Sequence, residues 1–215
     1  VIAGPGSGKT RVLTYRLAHM IESGVKPWNI LSLTFTNKAA KEMTERISLV
    51  ASGEARKVWS GTFHSIFARI LRVEATKIGY PTDFSIYDTD DSKSLITEII
   101  KELNLNPKDY NANSLRSRIS NAKSNLITPL MYEKDADLLE QDRINKMPYT
   151  SAVYKRYVQK CLQAGAMDFD DLLLQLFRLF QENPDNVLEK YRKQFTHVMV
   201  DEFQDTNYLQ YAILK

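Results

Sequence analysis

One cysteine, Cys161, occurs in the chain, so no internal disulfide can form and no zinc site can be built from cysteine alone. No stretch approaches the ~18 consecutive apolar residues of a membrane span. The densest apolar run, around Leu172–Phe180, is interrupted by Gln175 and Arg178. Glycine and proline are sparse, 8 and 7 of 215 residues, and follow no period, which excludes collagen-like and low-complexity architectures. Neither sign of charge dominates: 29 Lys and Arg against 26 Asp and Glu leave +3, too little to name a partner. There is no signal-peptide pattern. These absences predict a soluble, cytoplasmic chain. Val1 is not methionine, and Tyr208–Lys215 reads as the opening of a helix, so the expectation is a piece of a longer protein.

What is present is ordinary for a globular protein: 43% apolar and 26% charged residues. The length suits one or two domains, and a chain of this size buries about 70% of its unfolded surface without staples. Charge is unevenly distributed. Arg143–Met167 holds five Lys or Arg and no acid, and Asn111–Leu126 holds three and none. Such runs suit a polyanion or a solvated helix face equally. Arg116, Arg118, Lys123 and the Arg143–Lys160 region are therefore candidate polyanion contacts.

The first 85 or so residues alternate strand and helix signals. Val1-Ile2 reads as the tail of a buried strand. A helix then carries Leu13, Leu17, Met20 and Ile21 on one face and stops at Gly24. Ile30–Phe35 reads as a strand, Lys38–Val50 as a helix, Lys57–Ser60 as a weaker strand, and Thr62–Ile78 as a helix with Phe63, Phe67, Ile70 and Leu71 inward. Strands separated by helical crossovers predict a parallel α/β sheet. From Asp88 to about Gly165 the pattern is helical throughout, with Thr89, Asp90 and Asp91 as N-cap candidates and loops at Asn104–Pro107, Thr128-Pro129 and Met147-Pro148. Asp168–Phe180 reads as an amphipathic helix capped by Asp168. Phe195–Val200 is again strand-like. A sheet interrupted by a helical insertion follows.

Ala3-Gly4-Pro5-Gly6-Ser7-Gly8-Lys9-Thr10 matches the phosphate-binding loop G-x-x-x-x-G-K-[ST], except for Ala at its first position. Gly6 and Gly8 let the backbone curl so that consecutive N–H groups face phosphate oxygens, and the following helix presents its positive end to the same anion. Lys9 would bridge the β- and γ-phosphates of a nucleotide, and the Thr10 hydroxyl would ligate Mg²⁺; the loop alone leaves the reaction open. Val198-Met199-Val200-Asp201-Glu202 is a strand ending in two acids. Asp201 would hold the Mg²⁺ beside Thr10, and Glu202 would orient and deprotonate the attacking water. A kinase has no need of Glu202, so the pair points to hydrolysis.

With Phe203-Gln204-Asp205-Thr206-Asn207 following, the acidic segment resembles motif II of the UvrD/Rep/PcrA group of superfamily 1 DNA helicases. Ala3–Thr10 with Arg11-Val12-Leu13 resembles motif I. Leu33–Ala40 with Glu42-Met43 resembles motif Ia, and Gly61-Thr62-Phe63-His64-Ser65 resembles motif Ib. Met167–Leu172 resembles the segment that leads back into the first motor domain. The resemblance spans residues 3 to 207.

It implies a RecA-like P-loop domain, 1A, formed by residues 1–85 and 166–215, interrupted by an all-helical subdomain, 1B, over residues 86–165. It implies ATP with Mg²⁺, single-stranded DNA and ss/ds junctions, and a second RecA-like domain of the parent chain. Position by position, it implies DNA contacts at Phe35, Thr36, Asn37, Thr62, Phe63 and His64. On this resemblance Arg116, Arg118, Lys123 and the Arg143–Lys160 region are candidate contacts to duplex DNA. Taken alone, Phe35 reads as a core residue ending a strand, and His64 as a cap or packed side chain. Arg11 suits the nucleotide base or ribose, or plain exposure. Gln204 suits a γ-phosphate sensor or a polar turn residue. Asp168, Asp170 and Asp171 read as helix-start acids rather than as metal ligands. The function implied is an ATP-dependent single-strand translocase and helicase, incomplete in this chain. The alternatives are the motor of a helicase–nuclease fusion, a DNA-binding module with a dead ATPase, and a P-loop NTPase not coupled to DNA.

Overall fold

The computed structural model describes residues 8–50 and 56–215, with Lys9 and Val50 described by backbone alone. The chain divides into two compact units, Val1–Ile70 with Leu179–Thr206, and Leu71–Arg178 with Asn207–Lys215.

The first unit is built on a three-stranded parallel sheet. In chain order it contains helix α1 (Lys9–Glu22), strand β1 (Ile30–Thr34), helix α2 (Asn37–Val50), strand β2 (Trp59–Thr62) and the start of helix α3 (Phe63–Glu74). The strand order is β2-β1-β5, where β5 is His197–Val200. Leu31 lies beside both Trp59 and Val198 in the register. Every residue of β1 is buried, as expected of a central parallel strand covered on both faces. Leu17, Ala18, Ile30, Met43, Ile47 and Val58 form one core cluster, with Leu13, Met20, Ile21, Val25 and Met199 packed against it. The α1 face read from the sequence is therefore the buried one. Its stop is equally local. Gly24 adopts φ +93°, its N–H donates to Ile21 O at 3.0 Å, and the Val25 N–H donates to Met20 O at 2.9 Å. This is a Schellman turn, and Val25 and Met20 both pack against the same core cluster.

Helix α2 begins one residue earlier than its periodicity predicts, because the Thr36 side chain accepts from the Ala39 N–H at 3.1 Å and caps it. Strand β2 begins two residues later than expected and ends at Thr62. Expected strands reach Phe35 and start at Phe195; the observed ones end at Thr34 and start at His197.

The second unit is mostly helical: α4 (Thr89–Glu102), α5 (Ala112–Ser124), α6 (Pro129–Lys134), α7 (Ala136–Ile144), α8 (Thr150–Gln163), the first turns of α9 (Phe169–Glu182), and α11 (Tyr208–Leu214). Helix α10 (Val187–Gln194) belongs to the first unit. Ile96, Ile99, Leu115, Ile119, Tyr132, Val153, Tyr154 and Tyr157 sit in the core of the helical unit. Two features depart from the sequence reading. Ser85–Tyr87 (β3) and Ala166–Asp168 (β4) pair in parallel, a two-stranded sheet too short to leave a period. The cap of α4 is Asp88, not Thr89, Asp90 or Asp91: its carboxylate accepts from the Asp90 and Asp91 N–H groups, and the Asp91 side chain returns to the Asp88 N–H. That reciprocal box satisfies two orphan donors that a single cap would not.

The basic runs do not remain free. Arg118 pairs with the buried Asp142, which also accepts from the Tyr132 hydroxyl at 2.9 Å. Lys155 pairs with Glu133 at 3.3 Å, Arg156 with Glu102 at 2.6 Å, and Lys160 with Glu98 and Glu102 at 2.5 and 2.9 Å. Arg143 pairs with Glu140 at 3.3 Å. Lys123 is 0% exposed, with its ammonium 2.7 Å from Asp168 and 2.8 Å from Asp171. The expectation of a duplex contact through Lys123 is therefore corrected, since it is out of reach of any ligand. Acids from other helices partner several of the remaining cations, such as Lys155 and Arg156, without burying them.

Candidate nucleotide site and adjoining strand surface

The N-terminus of α1 and the carboxyl end of β5 meet in the first unit. Gly8 precedes α1 at φ +82°, a left-handed conformation that costs other L-residues roughly 1–2 kcal/mol. Its carbonyl accepts from the Val12 N–H at 3.0 Å. From the first turn of α1 the Thr10 hydroxyl donates to Asp201 Oδ2 at 3.1 Å, across 191 positions of sequence. Thr14, one turn further on, donates to the Thr10 carbonyl at 3.0 Å. Asp201 is buried, and its N–H donates to Leu33 O at 2.9 Å, extending the β1–β5 ladder by one residue. The sheet itself thus fixes where the carboxylate stands.

Immediately after Asp201 the chain turns. Glu202 adopts φ +51°, its N–H donates to Asp201 Oδ1 at 3.1 Å, and its carboxylate accepts from the Gln204 side-chain amide. The two acids consequently diverge: Asp201 toward Thr10, Glu202 half-buried and held by Gln204. A cleft of about 590 Å³ runs alongside, lined among others by Leu13, Arg16, Met20, Met199, Asp201 and Gln204. Arg11 is exposed on α1 with its guanidinium 5.6 Å from the Tyr15 ring centroid. Ala3, Gly4, Pro5, Gly6 and Ser7, and the side chain of Lys9, lie outside the described residues.

The residues expected to face DNA gather at the carboxyl ends of β1 and β2. Phe35 is half-buried, 5.3 Å centroid to centroid from Phe63. Phe63 is only 1% exposed and stacks edge-on against Phe67 at 5.7 Å. Its expected contact with DNA is corrected: Phe63 is the floor that orients Phe35. Thr62 is also buried. Its hydroxyl accepts from the Ser65 N–H at 3.2 Å and caps α3, so its side chain is a helix cap rather than an open DNA ligand. Thr36 is exposed, with its hydroxyl capping α2. Asn37 is exposed at the first residue of α2, and His64 is half-buried in the first turn of α3.

The helical period places Phe63 and Phe67 inward, as observed; it is the motif resemblance that assigns Phe63 to DNA. One feature escaped the sequence reading: in the Lys123–Asp168–Asp171 cluster the acids are spaced as a capping box, but nothing marks one lysine among the helical ones.

A family model described as the UvrD/REP helicase N-terminal domain matches residues 1–215. Relatives named ATP-dependent DNA helicase PcrA align with all of this chain: one from Bacillus subtilis at 45% identity, one from Leuconostoc citreum at 43% and one from Staphylococcus aureus at 42%. The chain spans 28% of the length of the first two and 29% of the third. The loop before α1, the acids after β5 and the aromatic end of β1 thus sit in a chain that belongs to the UvrD/REP helicase N-terminal domain family.

Proposed function

We propose that this chain is the nucleotide-binding and strand-gripping part of an ATP-driven motor that moves along single-stranded DNA and unwinds duplex. The observation that carries the reading is the Thr10–Asp201 contact, 3.1 Å across most of the chain. It joins the helix that follows the phosphate loop to the acid that ends a parallel strand. A hydroxyl and a buried carboxylate at that spacing are hard oxygen donors of the kind Mg²⁺ takes together with substrate phosphates, so these residues fit the ion. Thr10 and Asp201 would hold it. When bound, it neutralises charge on the β- and γ-phosphates.

The rest of the site follows from the chain's own groups. The backbone of Ala3–Gly8 cradles the phosphates, and Lys9 adds a point charge at the β- and γ-positions. Arg11 reaches toward the nucleoside. Glu202 orients the attacking water and takes its proton, and Gln204 holds Glu202 in position. Phe35, raised on Phe63, stacks against a base of the strand, a contact worth ~1–3 kcal/mol that every base offers. Thr36, Asn37 and His64 flank it. In this reading residues 1–85 and 166–215 form a RecA-like domain 1A and residues 86–165 a helical subdomain 1B. The parallel β2-β1-β5 sheet and the presence of a helix-rich second unit support the division, although that unit, Leu71–Arg178 with Asn207–Lys215, is wider than 86–165. A second RecA-like domain of the parent chain closes the nucleotide cleft, and ss/ds junctions are the natural substrate. Among the described residues, no helix is long and apolar enough to cross a membrane.

Steady-state ATP hydrolysis by the whole protein, with and without oligo(dT), tests the reading. Strong stimulation by the oligonucleotide that disappears in Lys9→Ala is the expected result. Hydrolysis indifferent to DNA would refute the coupling.

A further inference from the structure

Strand β1 is buried at every position, yet it ends on a hydroxyl. Thr34 is 1% exposed. Valine has nearly the same shape and an equal liking for strands, so packing gives no reason for an oxygen there, and a buried hydroxyl is costly unless it is bonded. The Thr34 hydroxyl donates to the Thr36 carbonyl at 3.2 Å, a long bond that steps over one residue, Phe35. Thr36 is held from the other side as well. Its carbonyl accepts from the Ala40 N–H at 3.0 Å and its hydroxyl from the Ala39 N–H at 3.1 Å, both in the first turn of α2. The whole link between β1 and α2 is Phe35 and Thr36. The end of the strand is thus tied to the start of the helix across the residue that carries the exposed ring.

Phe35 consequently has two supports of different kinds. Phe63, 5.3 Å away centroid to centroid, sets where the ring rests. The Thr34 bond sets the backbone from which the ring projects. The Thr36 carbonyl does not depend on Thr34 for a partner, because the Ala40 N–H already occupies it, so no buried group is orphaned when the hydroxyl is lost. The loss therefore falls on the conformation of the link rather than on the fold. One residue earlier, the Leu33 carbonyl accepts from the Asp201 N–H, so the same strand end that fixes the acid of the nucleotide site also carries the ring. We infer that Thr34 is a positioning residue of the strand grip: too deeply buried to touch DNA, it holds the Phe35 backbone so that the ring meets a base. The inference rests on the motor reading above and adds to it a residue that acts only through Phe35.

A double-mutant cycle in the whole protein tests it, with binding of fluorescein-labelled oligo(dT) read by anisotropy. Thr34→Val keeps the shape and removes the hydroxyl, and Thr34→Ser keeps the hydroxyl. Thr34→Val should weaken binding about threefold, toward the low end of what one hydrogen bond contributes because the bond is long. Thr34→Ser should bind like the parent. Phe35→Ala should weaken binding about tenfold, and adding Thr34→Val to it should change nothing further, since a residue that acts through the ring has no effect once the ring is gone. A merely structural threonine behaves otherwise: its loss weakens binding by the same factor with and without the ring. That additive result would overturn the inference, as would Thr34→Val binding like the parent, or Thr34→Ser binding as weakly as Thr34→Val. A Thr34→Val protein that no longer melts cooperatively would overturn it too, because the hydroxyl would then be holding the fold rather than the ring. Each of these leaves the motor reading standing. Phe35→Ala binding as tightly as the parent would instead refute the strand grip itself, and the inference with it.

Discussion

Replacing Lys123 with Met removes one buried charge and little volume. Lys123 is fully buried on α5, and its ammonium touches Asp168 and Asp171 at 2.7 and 2.8 Å. Those carboxylates also build the reciprocal cap of α9: the Asp171 N–H donates to Asp168 at 2.8 Å, and the Asp168 N–H to Asp171 at 3.2 Å. The Tyr157 hydroxyl adds a bond to Asp168 at 2.8 Å. Breaking a buried ion group by deleting one member costs roughly 3–5 kcal/mol, because the charges left behind have neither water nor a partner. At ~2–4 °C per kcal/mol for a chain this long, Lys123→Met should melt roughly 6–20 °C lower. Neutralising the whole group, with Asp168→Asn and Asp171→Asn added, should recover most of the loss, since Asn caps a helix about as well as Asp. A single variant that melts within a degree or two of the parent would refute the argument. So would a triple variant no better than the single.

The same cluster predicts a pH dependence. Burial first, and then the Asp168 charge, push Asp171 up to about 7 against the pull of Lys123. Burial also works against the Asp168 carboxylate, but the charge and hydrogen bond of Lys123 outweigh it and hold that group below its usual range. The other ionisable groups around the cluster, Tyr80, Tyr154, Tyr157 and Cys161, are pushed up chiefly by burial and stay neutral here. Asp171 therefore binds its proton more tightly folded than unfolded, where its value is ~3.9. The folded state holds the extra proton between those values, so stability falls as pH rises from about 4 through about 7 and then levels off. Asp168, with the opposite shift, matters only near and below pH ~4. Melting curves at pH 5.5 and 8 should show the difference, and Asp171→Asn should remove it. A parent chain more stable at pH 8 than at 5.5 by an amount that Asp171→Asn leaves unchanged would refute the assignment.

Three further outcomes follow from single contacts. Thr10→Ala and Asp201→Asn should each weaken Mg²⁺-dependent binding of a fluorescent ATP analogue while leaving the melting temperature within a few degrees, because their 3.1 Å contact is only part-buried; equal binding with and without Mg²⁺ in the parent chain would undo the site. Phe35→Ala should lower oligo(dT) affinity by about tenfold, and Phe63→Ala should do so as well while also destabilising the chain by roughly 3–5 kcal/mol as a buried aromatic. Gly24→Ala places a Cβ at φ +93° and should cost about 1–2 kcal/mol in urea unfolding, with nucleotide binding unchanged.

How much of this was legible depended on whether the determining physics was local. The α1 face, its stop at Gly24 and the cap at Asp168 could be read directly, because each is decided within one or two turns. So could the pairing of Thr10 with Asp201, since a phosphate loop before a helix and acids at a strand end meet wherever parallel strands are wound this way. The β3–β4 pair escaped because three residues carry no period. The α4 cap was displaced by one residue because Asp88 precedes three equally plausible capping groups, and only the return bond from Asp91 decides among them. Phe63 and Thr62 looked like ligands beside Phe35. Their spacing in the motif fits contact with DNA and support of a neighbour equally well, and only burial separates the two.

The basic runs show the limit most sharply. Along the chain, residues 143–167 carry five cations and no acid, which reads as a polyanion surface or a solvated helix face equally. In space, α4 turns Glu98 and Glu102 toward Lys160 and Arg156, and α6 offers Glu133 to Lys155. These pairs lie at the surface, where solvent screens them, so each adds little to stability. Their larger effect is to cancel the field that would attract a strand. Charge counted over a window of sequence therefore overstates the field of a helical unit, because every helix faces two or three others whose acids the window omits. The Arg156→Gln/Lys160→Gln variant should therefore leave the slope of log K against log salt for oligo(dT) binding unchanged, and a flattened slope would refute the cancellation and return the contact to the helical unit.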